Sequence, residues 1–102
     1  SYPRPDRNLL ESPSDVAIVS NHLYVSSSTQ ARVLYWSQIP TENGASADRV
    51  LGQPDFVTAR VNNPDVPPLE RVNVPFGLST HGTQLLIVDN HYDRLLLRPL
   101  FE

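Results

Sequence analysis

The chain repeats itself once. Sliding it by 62 residues, Pro13 onto Pro75, lays residues 13–36 over residues 75–98 without a gap: PSDVAIVSNHLYVSSSTQARVLYW over PFGLSTHGTQLLIVDNHYDRLLLR. Identity is confined to Pro13/Pro75, Leu23/Leu85, Arg32/Arg94 and Leu34/Leu96. The stronger signal is character, because Val16/Leu78, Tyr24/Leu86, Val25/Ile87, Val33/Leu95 and Tyr35/Leu97 are apolar in both copies. A unit recurring at a fixed period is one supersecondary block whose apolar face needs a neighbour to cover it.

Each copy holds three short apolar runs, residues 16–19, 23–26 and 32–36, then 76–80, 85–89 and 94–98. Turn residues separate them: Ser20-Asn21 and Gly82-Thr83 at the first break, residues 27–30 and 90–93 at the second. Runs of this length rich in Val, Ile, Tyr and Leu predict strands joined by hairpins. Val33, Leu34, Tyr35 and Trp36 put apolar groups on both faces of one strand, which predicts a sheet packed on both sides. A fourth run, residues 49–52, follows the first copy after a polar loop, 41–47, with Asn43-Gly44 as its turn. The second copy is followed by no such run before Glu102. The expected fold is all-β, with one four-stranded and one three-stranded antiparallel sheet.

Between the copies stand Pro54, Pro64, Pro67, Pro68 and Pro75. This stretch predicts an extended surface connection with little regular structure. The first unit therefore spans about residues 13–52, the connection 53–74 and the second unit 75–98. A linker between two independent domains is the competing reading, but neither unit alone is large enough to bury a core.

The remaining composition narrows the function classes. A chain of 102 residues, 39% hydrophobic, suits one small folded domain, and ten prolines against four glycines point to turns and little helix. The net charge is −3, with all eight basic residues arginine, and the charges are scattered. That argues against a nucleic-acid footprint, which needs a basic stripe. No apolar run reaches the length of a membrane span. No leader pattern is visible, and Ser1 stands where an unprocessed chain would carry methionine. The absence of cysteine removes disulfides, thiol catalysis and cysteine-built zinc sites, yet leaves the compartment open, extracytoplasmic or secreted included.

The candidate chemistry has a structural counterpart at every position. Asp89 and Arg94 face each other across a hairpin loop, where a substrate clamp is one reading and a charge-assisted bond fixing the loop is the favoured one. Arg32 has Ser27 in place of the aspartate, which leaves it backbone carbonyls or the neighbouring unit as partners. His22, His81 and His91 occupy three different places in the repeat, with no His-x-x-x-His pair or carboxylate-rich loop, and read as surface residues. Ser26-Ser27-Ser28 lacks a nucleophile elbow and reads as hairpin loop. Tyr35 and Trp36 read as packing between neighbouring units rather than as a ligand-stacking surface. Asp48, Asp55, Asp65 and Glu70 read as solvated. No catalytic residue, metal ligand or cofactor motif is assigned.

The two copies resemble the NHL repeat of β-propeller proteins. The resemblance rests on Asp15-Val16-Ala17-Ile18, Leu23-Tyr24-Val25-Ser26-Ser27 and Arg32-Val33-Leu34-Tyr35-Trp36 in the first copy. In the second it rests on Gly77-Leu78-Ser79, Leu85-Leu86-Ile87-Val88-Asp89 and Arg94-Leu95-Leu96. The segment Val50-Leu51-Gly52-Gln53-Pro54-Asp55-Phe56 is similar to the inter-blade signature of a bacterial NHL subgroup. The family's Asn-His pair before the arginine is replaced by Gln30-Ala31 and Tyr92-Asp93, and Ser27 replaces the aspartate that Asp89 keeps. The resemblance implies two blades, with Pro13, Arg32, Pro75, Asp89 and Arg94 as structural members of the blade motif.

Two blades do not close a ring of about four to eight. The resemblance therefore implies either a piece of a longer propeller or self-association, three copies giving six blades and two giving four. In such an assembly the segment 2–10 of a neighbour could supply the missing outer strand. The function implied is a non-catalytic module for protein or ligand interaction, with Asp55, Phe56, His91, Tyr92 and Asp93 on one rim. The alternatives are part of a propeller lyase or lactonase with an axial metal, and a structural subunit of a surface or filament assembly.

Overall fold

The structure, a computed structural model, describes residues 12–60, 63–68, 71–90 and 94–101. Among the described residues seven strands run in chain order: β1 Pro13–Val19, β2 His22–Ser27, β3 Arg32–Trp36, β4 Arg49–Leu51, β5 Pro75–His81, β6 Gln84–Asp89 and β7 Arg94–Pro99. They form a four-stranded sheet, β1-β2-β3-β4, and a three-stranded sheet, β5-β6-β7, with every pair antiparallel. The expected fold class is the one observed, and no helix among the described residues is long and apolar enough to cross a membrane.

The repeat extends to backbone detail. Both opening strands begin at a proline, where a missing N–H costs least, and both carry a register shift directly after it, Pro13/Asp15 and Pro75/Gly77. Both first hairpins close through two residues, with a left-handed residue at the same place: Ser20 at φ 52° and Gly82 at φ 59°. A positive φ at the first loop residue alone is the pattern of a type II′ turn, whose twist matches that of the flanking strands.

The sheets stack face to face. Ala17, Tyr24, Val33, Tyr35 and Leu51 of the first sheet share a core with Leu78, Leu85 and Ile87 of the second. These positions alternate along their strands, as the pleat requires. Strand contact across this seam is made by β1 and β2 against β5. Farther out the gap is filled by Val72 from the connection and by Leu100 and Phe101. Each fully buried Val, Leu or Ile here contributes about 1.5–3 kcal/mol relative to exposure.

All five residues of β3 are buried, as its two-sided apolar pattern predicts. Val33 and Tyr35 face the seam, while Leu34 and Trp36 join Val25 and Ala47 in a second cluster on the opposite face. Tyr35 thus lies between the two sheets and Trp36 on the far side of the first; its indole N–H donates to the carbonyl of Ala45 at 3.0 Å in the β3–β4 loop. Gly44 turns that loop at φ 72°. Ser26 and Ser27 also differ from the loop reading. Both are buried within β2, and only Ser28 enters the turn.

The connection departs from a surface path. Gln53, Asn63, Val66, Val72 and Asn73 are buried. Polar side chains held this deeply must find partners, and the partners explain the route.

Candidate functional site

Arg32 and Arg94, equivalent in the repeat, grip the two ends of the connection. The Arg32 guanidinium is fully buried, donating through Nη1 to the Phe56 carbonyl at 2.6 Å and through Nε to Gln30 Oε1 at 3.0 Å. Arg94 donates to the Arg71 carbonyl at 3.0 Å and pairs with Asp89 at 3.1 Å. Asp89, fully buried, also accepts the backbone N–H groups of Asn73 and Val74, each at 3.0 Å. The favoured reading of the pair as a loop-fixing bond agrees with this geometry. The carboxylate ties the end of β6 to the approach to β5, and main-chain donors surround it. Of the two options left for Arg32, a backbone carbonyl is the one found.

The heptapeptide 50–56 is the other half of the clasp. Leu51 enters the seam. Gly52 adopts φ 92°, and a Cβ there would stand 2.7 Å from Val72 Cβ and 3.1 Å from the Ala31 carbonyl, so only glycine permits the close approach. The Gln53 amide donates to the carbonyls of Ala31, 2.8 Å, and Arg60, 3.0 Å, and accepts from Asn63 Nδ2 at 2.9 Å.

The expected rim is met only in part by described residues. Asp55 is exposed and closes a small turn, accepting the Thr58 hydroxyl at 2.7 Å and the Val57 N–H at 3.0 Å. The Thr58 hydroxyl chiefly, with the backbone N–H groups, holds its carboxyl below the usual carboxylate range against slight desolvation. Phe56 is half-buried against the second cluster. Val57 beside it is exposed. His91, Tyr92 and Asp93 lie outside the described residues, as do Glu70 and the segment 2–10. Asn90 is held at the end of the connection, its N–H donating to the Val74 carbonyl at 2.9 Å.

The other candidates are placed as follows. Pro75 is fully buried, and its carbonyl accepts the Ser14 hydroxyl at 2.8 Å, whereas Pro13 is exposed. His81 is exposed, but His22 is half-buried, stacked on Tyr35 and 2.6 Å from its hydroxyl, so it belongs to the packing and not to the surface. Asp48 is exposed and accepts the N–H and hydroxyl of Ser37 at 2.8 and 3.0 Å. Among the described residues no three His, Cys, Asp or Glu side chains converge on a metal position.

Sequence reasoning missed a carboxylate bond between the sheets. Asp15 accepts the Val16 N–H on one carboxylate oxygen and the Leu78 N–H on the other, each at 2.8 Å. The available signal was a single oddity: an aspartate in one copy at the position where the other has Gly77. Two open clefts touch these groups: one of about 190 Å³ is lined by Gly52, Gln53 and Arg98, and one of about 320 Å³ by Pro13, Asp15 and Val16. Two others, about 340 and 330 Å³, flank Trp36 and the β3–β4 loop. Compared with protein-family models, curated proteins and solved structures, the chain matches none of them.

Proposed function

We propose that the chain is a pair of adjacent NHL-type propeller blades acting as a non-catalytic interaction module. The observation that carries this reading is the constant 62-residue offset. Proline start, register shift, hairpin turn and blade arginine recur at the same places in two stacked antiparallel sheets. The apolar outer faces support it too, since blades in a ring bury both faces. The clasp fixes the connection against both sheets through buried bonds. It thereby holds Asp55 and Val57 at a defined place on the surface, as a preorganised contact needs.

The test is affinity capture from a native extract with Tyr92→Ala plus Val57→Ala. Loss of a specific partner, with circular dichroism and urea midpoint unchanged, is the expected result. Undiminished capture counts against this rim. Phe56 is left intact because its ring is part of the packing.

A further inference from the structure

We propose that the outer face of the second sheet is the docking surface for a second copy of this chain, received by that copy's first sheet, head to tail. The inference rests on the reading of the two sheets as equivalent blades, and the faces themselves carry it.

The seam inside the chain joins two unlike faces. The first sheet contributes Tyr24, Val33 and Tyr35; the second contributes Leu78, Leu85 and Ile87. Advance the first set by 62 residues and it becomes Leu86, Leu95 and Leu97, on the outer face of the second sheet. Leu95 is 57% exposed and Leu97 59%. Cross-strand pairing aligns Leu86 with Leu97 and Val88 with Leu95, making one continuous apolar patch. Move the second set back by 62 and it becomes Val16, Leu23 and Val25, on the outer face of the first sheet. Val16 is 52% exposed there, and Ile18 beside it 58%. Each open face thus repeats one half of an interface the chain already makes.

The shape of the cover agrees. In the seam the outer strands are spaced by filler, Val72 and Phe101, while β1 and β2 touch β5 directly. On the first sheet's outer face the filler is already in place. Ala47 and Phe56 pack over Leu34 and Trp36, and the bare residues are Val16 and Ile18 on β1. A second sheet laid there meets the innermost strand, as β5 meets β1. Because the two faces differ, the contact is heterologous, so copies add in one direction until a ring closes.

Val16→Arg blocks the receiving face and Leu97→Arg the donating face; both sites are exposed, and unchanged circular dichroism verifies folding. Ile18→Arg and Leu95→Arg serve as second variants. In native mass spectrometry and light scattering at high micromolar concentration, the wild type is expected at two or more copies of 11.4 kDa. Each variant alone is expected to lose association, and an equimolar mixture of the two to restore a dimer and nothing larger. A monomeric wild type overturns the proposal. So does a mixture that stays monomeric, or one variant that associates as the wild type does, which marks a like-with-like contact. The propeller reading fails separately. An open ladder of masses in place of one discrete species removes ring closure and leaves the head-to-tail contact standing.

Discussion

The carboxylate of Asp15 spans the seam to the backbone N–H of Leu78, 2.8 Å away and 63 positions along the chain. Its other oxygen accepts the Val16 N–H, so one side chain fixes the start of β1 and docks β5 upon it. Charge-assisted bonds of this kind contribute about 1.5–3 kcal/mol, and removing the acceptor strands two donors. Asp15→Ala is expected to lower stability by about 1–3 kcal/mol in urea unfolding. Amide exchange at Leu78 should quicken far more than at Ile87. Equal protection at both amides would show that apolar contact alone sets the docking.

Gly52→Ala tests the clasp. The substitution demands an unfavourable φ and drives a methyl into Val72. Left-handed strain and overpacking together predict a loss of about 2–4 kcal/mol. Pairing it with Val72→Gly, which removes the Cβ that is struck, should recover part of that loss. A double variant no better than the sum of its parts would mean that backbone conformation, not the collision, is responsible.

Ser20 and Gly82 are a matched experiment already present in the chain, with the same turn, nearly the same φ and different residues. Both are exposed, and a Cβ at Gly82 meets nothing within 4 Å, so only the backbone conformation is at issue. Ser20→Gly is expected to raise stability by about 0.5–1 kcal/mol, and Gly82→Ala to lower it by about 1 kcal/mol. Thermal or urea unfolding reads both. The same sign for the two changes would contradict the argument.

Tyr24 gives a pH dependence with a definite sign. Burial raises its phenol above the usual value of 10.0, and Tyr35 adds to this, while the Phe101 N–H bonded to its oxygen at 2.8 Å acts the other way. The unfolded chain therefore releases this proton first. The contribution is whole below about pH 10 and is lost as pH rises through the higher folded value. Urea midpoints followed into that alkaline range should fall more steeply for the wild type than for Tyr24→Phe. Parallel curves would dismiss Tyr24 as a source of alkaline instability.

Strands were legible because each apolar run is bounded by residues that turn the chain. The expected run 32–36 is β3 to the residue, and the others differ by a few residues at their ends. The face of each strand was less legible. β3 is buried throughout, so alternation along it distinguishes neither side, and nothing in the run tells that Tyr35 faces the seam and Trp36 the opposite side. The connection was read by its prolines, which do mark irregular backbone. Its buried Gln53 and Asn63 left no trace because they bond to each other and to the backbone of Ala31, Arg60 and Asp65, and such pairing has no period. For the rim, sequence offered Asp55 and Phe56 as one pair. The structure separates an exposed carboxylate from a ring that serves the packing.

The place of Trp36 has a practical consequence. It is the chain's single tryptophan, and it sits in a cluster built wholly from the first sheet, its loop and Phe56. Tyr24 and Tyr35 instead lie in the seam. Selective excitation of the indole therefore reports the far side of the first sheet, while the share of tyrosine emission lost on Tyr24→Phe and Tyr35→Phe, two of the chain's four tyrosines, reports the joint between the sheets. The molecule carries its own spectroscopic labels, and their melting curves, overlaid, say whether the sheets come apart before either one unravels.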